Sequence, residues 1–175
     1  MIDHIISNMK YLAVTVVGWM SVLDADIAQK FNSVERNGMK VAWEILGDRI
    51  FFKISAPTTG WIAIGLNESK ELTGTYLIMG RVKNGNPEVI EHRTLCPGNY
   101  RSFENLGAST TVQLISGGQS RLSTWLGFSI PINKFSDYHK DVLASDGLNM
   151  LMAFSRHDDF MHHSIMRTSV WVNFN

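Results

Sequence analysis

The residues best suited to chemistry lie close together near the carboxyl end of this chain. The stretch 156–174 reads RHDDFMHHSIMRTSVWVNF and contains His157, His162 and His163, together with two aspartates and two methionines. Imidazole nitrogen and thioether sulfur are side-chain ligands of transition metals and of haem iron. Because neighbouring residues on an extended chain point to opposite faces, one member of the His162–His163 pair is expected to face inward. A polar loop at the end of a sheet is the alternative interpretation.

Enzymatic chemistry has less support in the sequence. The chain lacks a glycine-rich phosphate loop that opens a helix, a nucleophile elbow and an HExxH helix. A metal held by His157, Asp159 and His163 is the remaining enzymatic hypothesis, but no general base or nucleophile accompanies those ligands. We therefore expect a protein without catalytic activity.

Methionine and aromatic residues supply two further groups of candidates. Met79 lies in a predicted strand and is a candidate iron ligand beside a histidine, with ordinary core packing as the alternative. Several aromatic side chains could wall an apolar cofactor slot or stack on a sugar face, or they could pack in a core. These aromatic residues are Trp61, Trp125, Trp171, Phe154 and Phe160.

Length and composition place these candidates in one folded domain. The 175 residues are 45% hydrophobic and 18% charged, and the formal net charge is zero. Such a composition is typical of a globular domain, and zero net charge removes the electrostatic case for binding nucleic acid or an anionic membrane. The single cysteine, Cys96, excludes an intramolecular disulfide framework.

The amino-terminal residues have the layout of an export signal. A basic residue precedes the apolar run 11–23, and a small and polar segment follows it. At 13 residues the run is too short to cross a bilayer, and no later segment is a candidate span. We expect residues 1–28 to be a signal peptide, residues 29–37 to be a linker and the mature protein to be secreted or periplasmic. Met9 is an alternative start, and a hydrophobic helix of the fold is the alternative interpretation.

The rest of the chain predicts an all-β domain. Short apolar or alternating runs recur with turn residues between them, as in the hairpin over 39–54 with its turn at Gly47. Regularly spaced strands with few helices favour a two-sheet sandwich. We expect about nine to eleven strands and at most one or two short helices.

Three segments carry more specific expectations. Residues 88–95 are predicted to form an edge strand on which Glu91 and His92 face water. Residues 96–108 are predicted to form a long irregular loop of the kind that carries binding residues. Apolar residues at helical spacing predict one short helix within 131–147.

Four blocks of sequence, taken in order, are similar to those of a known family. They are GWIAIGLN (60–67), LTGTYLIMGRV (72–82), FSIPI (128–132) and AFSRHDDFMHHSIMRTSVWVNF (153–174). Together they resemble a DOMON domain, over roughly 38–174. The resemblance implies an immunoglobulin-like β-sandwich over 38–175 with a ligand pocket between the sheets or at their end. It also implies a b-type haem electron-transfer module or a sugar-binding module, often attached to a redox partner.

The resemblance also implies which residues would hold haem iron. The family's histidine before the last strand matches His163, with His162 as the second choice. The family's methionine, in the loop after the GW-A-G strand, falls on Leu72, which cannot coordinate iron. Met79, further along the same segment, is then the substitute ligand. A second departure is Tyr76, where many members carry an acidic residue.

The leading hypothesis is therefore an exported module without catalytic activity that binds haem b for electron transfer with a redox partner protein. His163 and Met79 are the candidate iron ligands. The alternative is a carbohydrate- or small-ligand-binding module without iron, in which aromatic side chains stack on a sugar face. The other residues expected to line the pocket are His162, Trp61, Tyr76 and Phe154.

Overall fold

The computed structural model describes residues 31–143 and 147–174, so the predicted signal peptide lies outside the described residues. Within them the chain forms eleven β-strands and one short 3₁₀ turn, Glu104–Leu106. In chain order the strands are β1 (Asn32–Arg36), β2 (Met39–Leu46), β3 (Arg49–Ala56), β4 (Ile62–Asn67), β5 (Tyr76–Lys83), β6 (Asn86–Cys96), β7 (Asn99–Ser102), β8 (Gln113–Gln119), β9 (Thr124–Pro131), β10 (Leu148–Phe154) and β11 (Met166–Val172). The predicted all-β class is confirmed.

The strands divide into two antiparallel sheets that form a sandwich. The five-stranded sheet has the order β1-β2-β3-β9-β8, and the six-stranded sheet has the order β11-β10-β4-β5-β6-β7. One continuous apolar cluster fills the space between them and includes Ile50, Phe52, Phe128 and Met150. The two-sheet sandwich expected from the strand pattern is therefore confirmed.

Alternating side chains build the inner face of the five-stranded sheet. Met39, Val41 and Trp43 of β2 point into the core and are at most 5% exposed. The turn after β2 contains Gly47 with φ 63°, a left-handed conformation that glycine adopts without strain. Because β2 and β3 pair antiparallel across this turn, the predicted hairpin over 39–54 is confirmed.

The central strands of the six-stranded sheet are apolar on both faces. All six residues of β4 are buried, and Leu151 is the single partly exposed residue of β10. Strands have this pattern when both of their faces are covered. Their inner faces meet the sandwich core, and residues 155–165, which we call the covering loop, connect β10 to β11 above their outer faces.

The prediction of a wet edge strand over 88–95 is wrong. β6 lies between β5 and β7, and Glu91 and His92 are only 0% and 5% exposed. The segment 96–108, expected to be an irregular loop, supplies β7, which pairs with β6 and takes the edge position. The strand order therefore buries two titratable side chains that the local sequence did not mark as buried.

Two further segments differ from expectation. The helix predicted within 131–147 is absent from the described part of that range, where the chain makes turns and bends. A side-chain hydrogen bond stabilises these turns, with Ser136 Oγ 2.8 Å from His139 Nδ1. Part of the expected linker 29–37 forms β1, which pairs with β2. No helix in the described part of the chain is long and apolar enough to cross a membrane.

Candidate functional site

A cavity of about 540 Å³ lies on the outer face of the six-stranded sheet. This volume falls within the roughly 300–1,000 Å³ of small-molecule and cofactor sites. Because the cavity is on the outer face of the sheet, it lies outside the sandwich, and not between the sheets or at their end as the family resemblance implied. Its floor is a second apolar cluster formed by Trp61, Ala63, Leu77, Met79 and Ala153.

Strand register explains why these residues share one face. Ala63 on β4 is paired with Met79 on β5 and with Ala153 on β10. Paired residues of neighbouring strands project to the same side of a sheet. Two of the three are alanines, so the centre of this face leaves open volume that larger side chains would fill.

Three side chains that line the cavity, and one from the covering loop itself, donate hydrogen bonds to backbone carbonyls of that loop. Four donors contact four different carbonyl groups, which restrains the loop along most of its length. A neutral hydrogen bond contributes about 0.5–1.5 kcal/mol and one from a charged donor about 1.5–3 kcal/mol. The donor and acceptor pairs are Arg81 with Asp158, Tyr100 with Phe160, Trp61 Nε1 with His162 at 3.2 Å, and Ser155 Oγ with His163 at 3.0 Å.

Backbone contacts fix the start of the covering loop. The amide of Trp61 donates to the carbonyl of His157 at 3.1 Å. A Cβ atom added to Gly60 would lie 2.5 Å from backbone atoms of Arg156 and His157. Only glycine allows this close approach, which gives a structural reason for the glycine before Trp61.

The two adjacent histidines both line the cavity, and both are exposed. The expectation that one of them faces the sandwich interior is therefore wrong. The segment is not extended, because the amide of His162 donates to the Asp159 carbonyl at 3.0 Å and forms a turn. His162 also stacks on His157 with ring centroids 4.2 Å apart.

The acidic residue of this turn pairs with the same histidine. Asp159 Oδ2 lies 3.3 Å from His162 Nδ1. The backbone amide of Met161 donates to Asp159 Oδ1 and, with His162, holds the pKa of this carboxyl below its usual value. His162 is thus paired with Asp159 and stacked on His157.

Met79 and Trp61, two candidate residues identified from the sequence, also line the cavity. Met79 is 1% exposed and Trp61 is 4% exposed, so both form part of the floor. Leu72 lines the cavity as well. The position at which the family resemblance implied a methionine therefore faces this cavity with an apolar side chain.

Tyr76 and Phe154 do not line the cavity. Both belong to the cluster between the sheets, where Tyr76 is 1% exposed and Phe154 is 6% exposed. Their strands place the neighbouring residues, Leu77 and Ala153, on the outer face, and alternation sends Tyr76 and Phe154 inward. The Tyr76 hydroxyl donates to the carboxylate of Glu91.

Sequence reasoning missed the wall that β6 and β7 provide. His92 and Tyr100 line the cavity beside Phe160 of the covering loop. Burial lowers the pKa of His92 to about 4. Alternation along β6 predicts that His92 shares a face of the strand with Ile90 and Thr94. The local sequence does not show that this face is covered by other parts of the protein, so the burial of His92 could not be predicted from it.

The described residues do not support a metal site built from histidine and carboxylate side chains. Across 31–143 and 147–174, no group of three or more histidine, cysteine, aspartate or glutamate residues is arranged to hold a metal ion. The hypothesis of a metal bound by His157, Asp159 and His163 is therefore wrong.

The side chains around the cavity fit a haem. The floor is apolar, as the porphyrin ring requires, and the imidazole of His163 offers an iron ligand. Arg101 and Arg167 line the same cavity, and guanidinium groups bind carboxylates such as those of haem. Arg167 also lines an adjoining cavity of about 280 Å³ together with Lys70.

Comparison with known proteins is consistent with this geometry. A family model for the DOMON domain matches residues 35–155. DBH-like monooxygenase protein 2 of Mus musculus is 27% identical over 110 residues, which are 62% of this chain and 17% of that protein. The chain thus spans less than a fifth of the length of this relative.

Two solved structures share the fold. The cytochrome b domain of pyranose dehydrogenase from Coprinopsis cinerea aligns with a TM-score of 0.64 at 11% identity, over 82% of this chain and 81% of that chain. The cytochrome domain of Myriococcum thermophilum cellobiose dehydrogenase aligns with a TM-score of 0.60 at 9% identity, over 83% and 82% of the two chains. At these identities the similarity concerns the fold alone.

Proposed function

Because the chain belongs to the DOMON family, we propose that it is an exported module that binds haem b in the cavity on the outer face of the six-stranded sheet. His163 supplies an iron ligand. When bound, the haem supplies one-electron transfer, and a redox partner protein is the source or destination of the electron. The proposal assigns no catalytic step to the chain itself.

The observation that carries the proposal is an imidazole that a restrained loop holds at a cavity with an apolar floor. The carbonyl groups of His162 and His163 flank the Cα atom of His163, and they accept hydrogen bonds from Trp61 Nε1 and Ser155 Oγ. The backbone on both sides of His163 is therefore fixed. A ligand side chain on a fixed backbone loses less entropy when it binds its metal.

The remaining lining residues have separate roles in this proposal. The floor around Ala63 and Met79 excludes water and presents a surface of low polarity. Arg167 of β11, which is paired with the floor residue Ala153, offers a guanidinium group to a haem carboxylate. An apolar floor with a guanidinium group at one edge matches an amphiphilic ligand with a flat apolar body.

Export and the absence of catalysis are inferred from the sequence. Export rests on the sequence of residues 1–28, which has the layout of a signal peptide. The absence of catalysis rests on the sequence, in which no base or nucleophile accompanies the candidate ligands. The monooxygenase activity in the name of the mouse relative is not assigned to this chain, which spans 17% of that protein.

Haem titration of the purified full chain tests the proposal. We expect saturable binding, measured as a change in the Soret band. We expect His163→Ala to weaken haem affinity by at least about tenfold, since outer partners of metal ligands alone contribute 10- to 100-fold. His157→Ala is the matched control, because His157 belongs to the same loop but is not among the lining residues. No Soret change, or a change unaffected by His163→Ala, would contradict the proposal.

The sugar-binding alternative has less support from the site. A stacking platform needs an exposed aromatic face, whereas Trp61 is 4% exposed and its indole N–H is bound to the His162 carbonyl. The more exposed Trp125 and Trp171 are not among the lining residues. Saturable calorimetric binding of a saccharide that competes with haem would favour this alternative.

A further inference from the structure

A second imidazole lines the cavity, on a different element from His163. His92 projects from β6 and is 5% exposed, whereas His163 belongs to the covering loop and is exposed. β5 and β4 separate β6 from β10, the strand after which the covering loop begins. At about 4.8 Å between neighbouring strands, β6 and β10 lie roughly 14 Å apart. The sheet therefore places His92 across the cavity floor from the strand that precedes the loop.

Hydrogen bonding assigns the proton on His92. Its Nδ1 lies 3.1 Å from the carbonyl oxygen of Ile90. A carbonyl oxygen only accepts, so Nδ1 carries the proton and Nε2 keeps its lone pair. The ring is 5% exposed, and burial favours the neutral form of an imidazole. Metal-ligating histidines have this arrangement, in which the second ring nitrogen donates to a backbone carbonyl.

Two aromatic rings fix the plane of His92. Tyr100 packs edge-on at 5.5 Å and 82°, and Phe160 packs edge-on at 5.9 Å and 78°. The Tyr100 hydroxyl also donates to the carbonyl of Phe160, which ties the two rings together. The guanidinium of Arg81 lies over the Phe160 ring at 4.3 Å. His92 is therefore held in one orientation before any ligand binds.

The chemistry of a bare Nε2 restricts what His92 can bind. A lone pair on neutral nitrogen can accept a proton or coordinate a metal, but it cannot donate to a haem carboxylate. The competing residues are less suitable as ligands of iron. Leu72 has no donor atom, and Met79 belongs to the apolar cluster that forms the floor.

We propose that Nε2 of His92 is the second iron ligand of this site, so that two histidines, His92 and His163, hold the haem. The inference rests on the proposed haem-binding function and deepens it. It replaces the expectation that Met79 is the second ligand and gives that methionine a packing role in the floor. Two imidazole ligands produce a six-coordinate, low-spin iron.

Electron paramagnetic resonance of the ferric full-length protein tests this inference. We expect a low-spin signal from the wild type and a high-spin signal from His92→Gln, with haem affinity lowered by at least about tenfold. In His92→Gly the imidazole is replaced by space, and added free imidazole is expected to restore the low-spin signal. Circular dichroism of the haem-free variants checks that each one is folded.

Two control variants separate coordination from packing. Met79→Leu removes the sulfur and keeps an apolar side chain, so we expect its low-spin signal to be unchanged. His157→Gln removes an imidazole that is not among the lining residues, and we expect it to behave as the wild type. Near-infrared magnetic circular dichroism of the wild type identifies the ligand pair without any substitution, and we expect two nitrogen ligands.

The outcomes distinguish this inference from the proposed function. If His92→Gln binds haem with an unchanged low-spin signal, the inference is overturned while the proposed function stands. A nitrogen–sulfur pair in the wild-type spectrum, or loss of the low-spin signal in Met79→Leu, also overturns it and makes Met79 the ligand. A wild-type chain that binds no haem removes the proposed function, and the inference with it.

Discussion

Adjacent side chains of β6 point to opposite faces of the six-stranded sheet. Glu91 points into the core and His92 points into the cavity. Tyr76 and Thr111 donate to the Glu91 carboxylate, and His139 Nε2 lies 3.6 Å from it. Burial alone would raise the pKa of Glu91, but the bonds from His139, Tyr76 and Thr111 together lower it below its usual value. The buried carboxylate is therefore charged and depends on its partners.

Glu91→Gln should destabilise the haem-free protein. The substitution keeps the shape of the side chain but removes the charge, and hydrogen bonds to charged groups contribute about 1.5–3 kcal/mol each. We expect the free energy of unfolding in urea to fall by about 2–3 kcal/mol at pH 7. Glu35→Gln, at an exposed residue of β1, is the control and should change it by less than about 0.5 kcal/mol.

The same variant should reveal the pH dependence of this carboxylate. The pKa of Glu91 is lower in the folded protein than its ordinary value of 4.5. The stability that its charge contributes is present above pH 4.5 and is lost as pH falls through the folded pKa. The wild type and Glu91→Gln should therefore converge in stability as the pH is lowered below 4.5. A constant difference across this range would contradict the account.

At the scale of elements, the covering loop is the part that makes a cavity from a sheet face. Its carbonyls are held by Arg81, Tyr100 and Trp61, which lie on or beside three different strands. Phe160 reaches β6, and the loop returns to β11 after the amide of Ile165 bonds to Phe154. The loop thus crosses the strands that form the floor.

Gly60→Ala should displace the covering loop. The added Cβ would lie 2.5 Å from backbone atoms of Arg156 and His157, and backbone cannot rotate away as a side chain can. We expect a loss of about 1–3 kcal/mol in unfolding free energy and weaker haem binding. The measurements are urea denaturation and haem titration.

Gly118→Ala is the matched control for this substitution. The three atoms nearest to its added Cβ belong to the side chain of Trp125, which can shift, and Gly118 lies in β8 of the other sheet. We expect its haem affinity to equal that of the wild type. Equal haem affinity in Gly60→Ala as well would show that the loop position does not matter for binding.

At the scale of the whole molecule, two separate apolar clusters share one sheet. The larger cluster fills the sandwich, and the smaller one lines the cavity outside it. Ile64 of β4 belongs to the first, and its neighbour Ala63 belongs to the second. Haem binding should therefore respond differently to substitutions at these two adjacent positions.

Substitutions at these two neighbours test that separation. Ala63→Leu enlarges a floor residue that is 1% exposed, so haem affinity should fall and the free energy of unfolding should fall by about 1–3 kcal/mol. Ile64→Val removes one buried methyl group and should cost about 0.5–1.5 kcal/mol with haem affinity retained. Haem titration and urea denaturation of both proteins give the comparison. Parallel loss of both properties in both variants would contradict it.

Much of the fold and part of the site could be predicted from local sequence. The alternation in 39–54 and the apolar run of β4 are patterns among residues adjacent in the sequence. Such local patterns could be recognised without the tertiary structure, so the sandwich and its central strands were predictable. The stretch 156–174 was identified by its density of imidazole groups, and the structure brings His162 and His163 to the cavity with Trp61.

The sequence by itself determined an all-β domain of the DOMON family and a histidine-bearing segment before its last strand. Only the tertiary structure decided that the cavity lies outside the sandwich, that Tyr76 and Phe154 face the core, and that His92 joins the site. The physical reason is that alternation defines two faces of a strand without saying which is covered. Coverage depends on β7 and the covering loop, which meet the sheet through contacts between residues far apart in the chain.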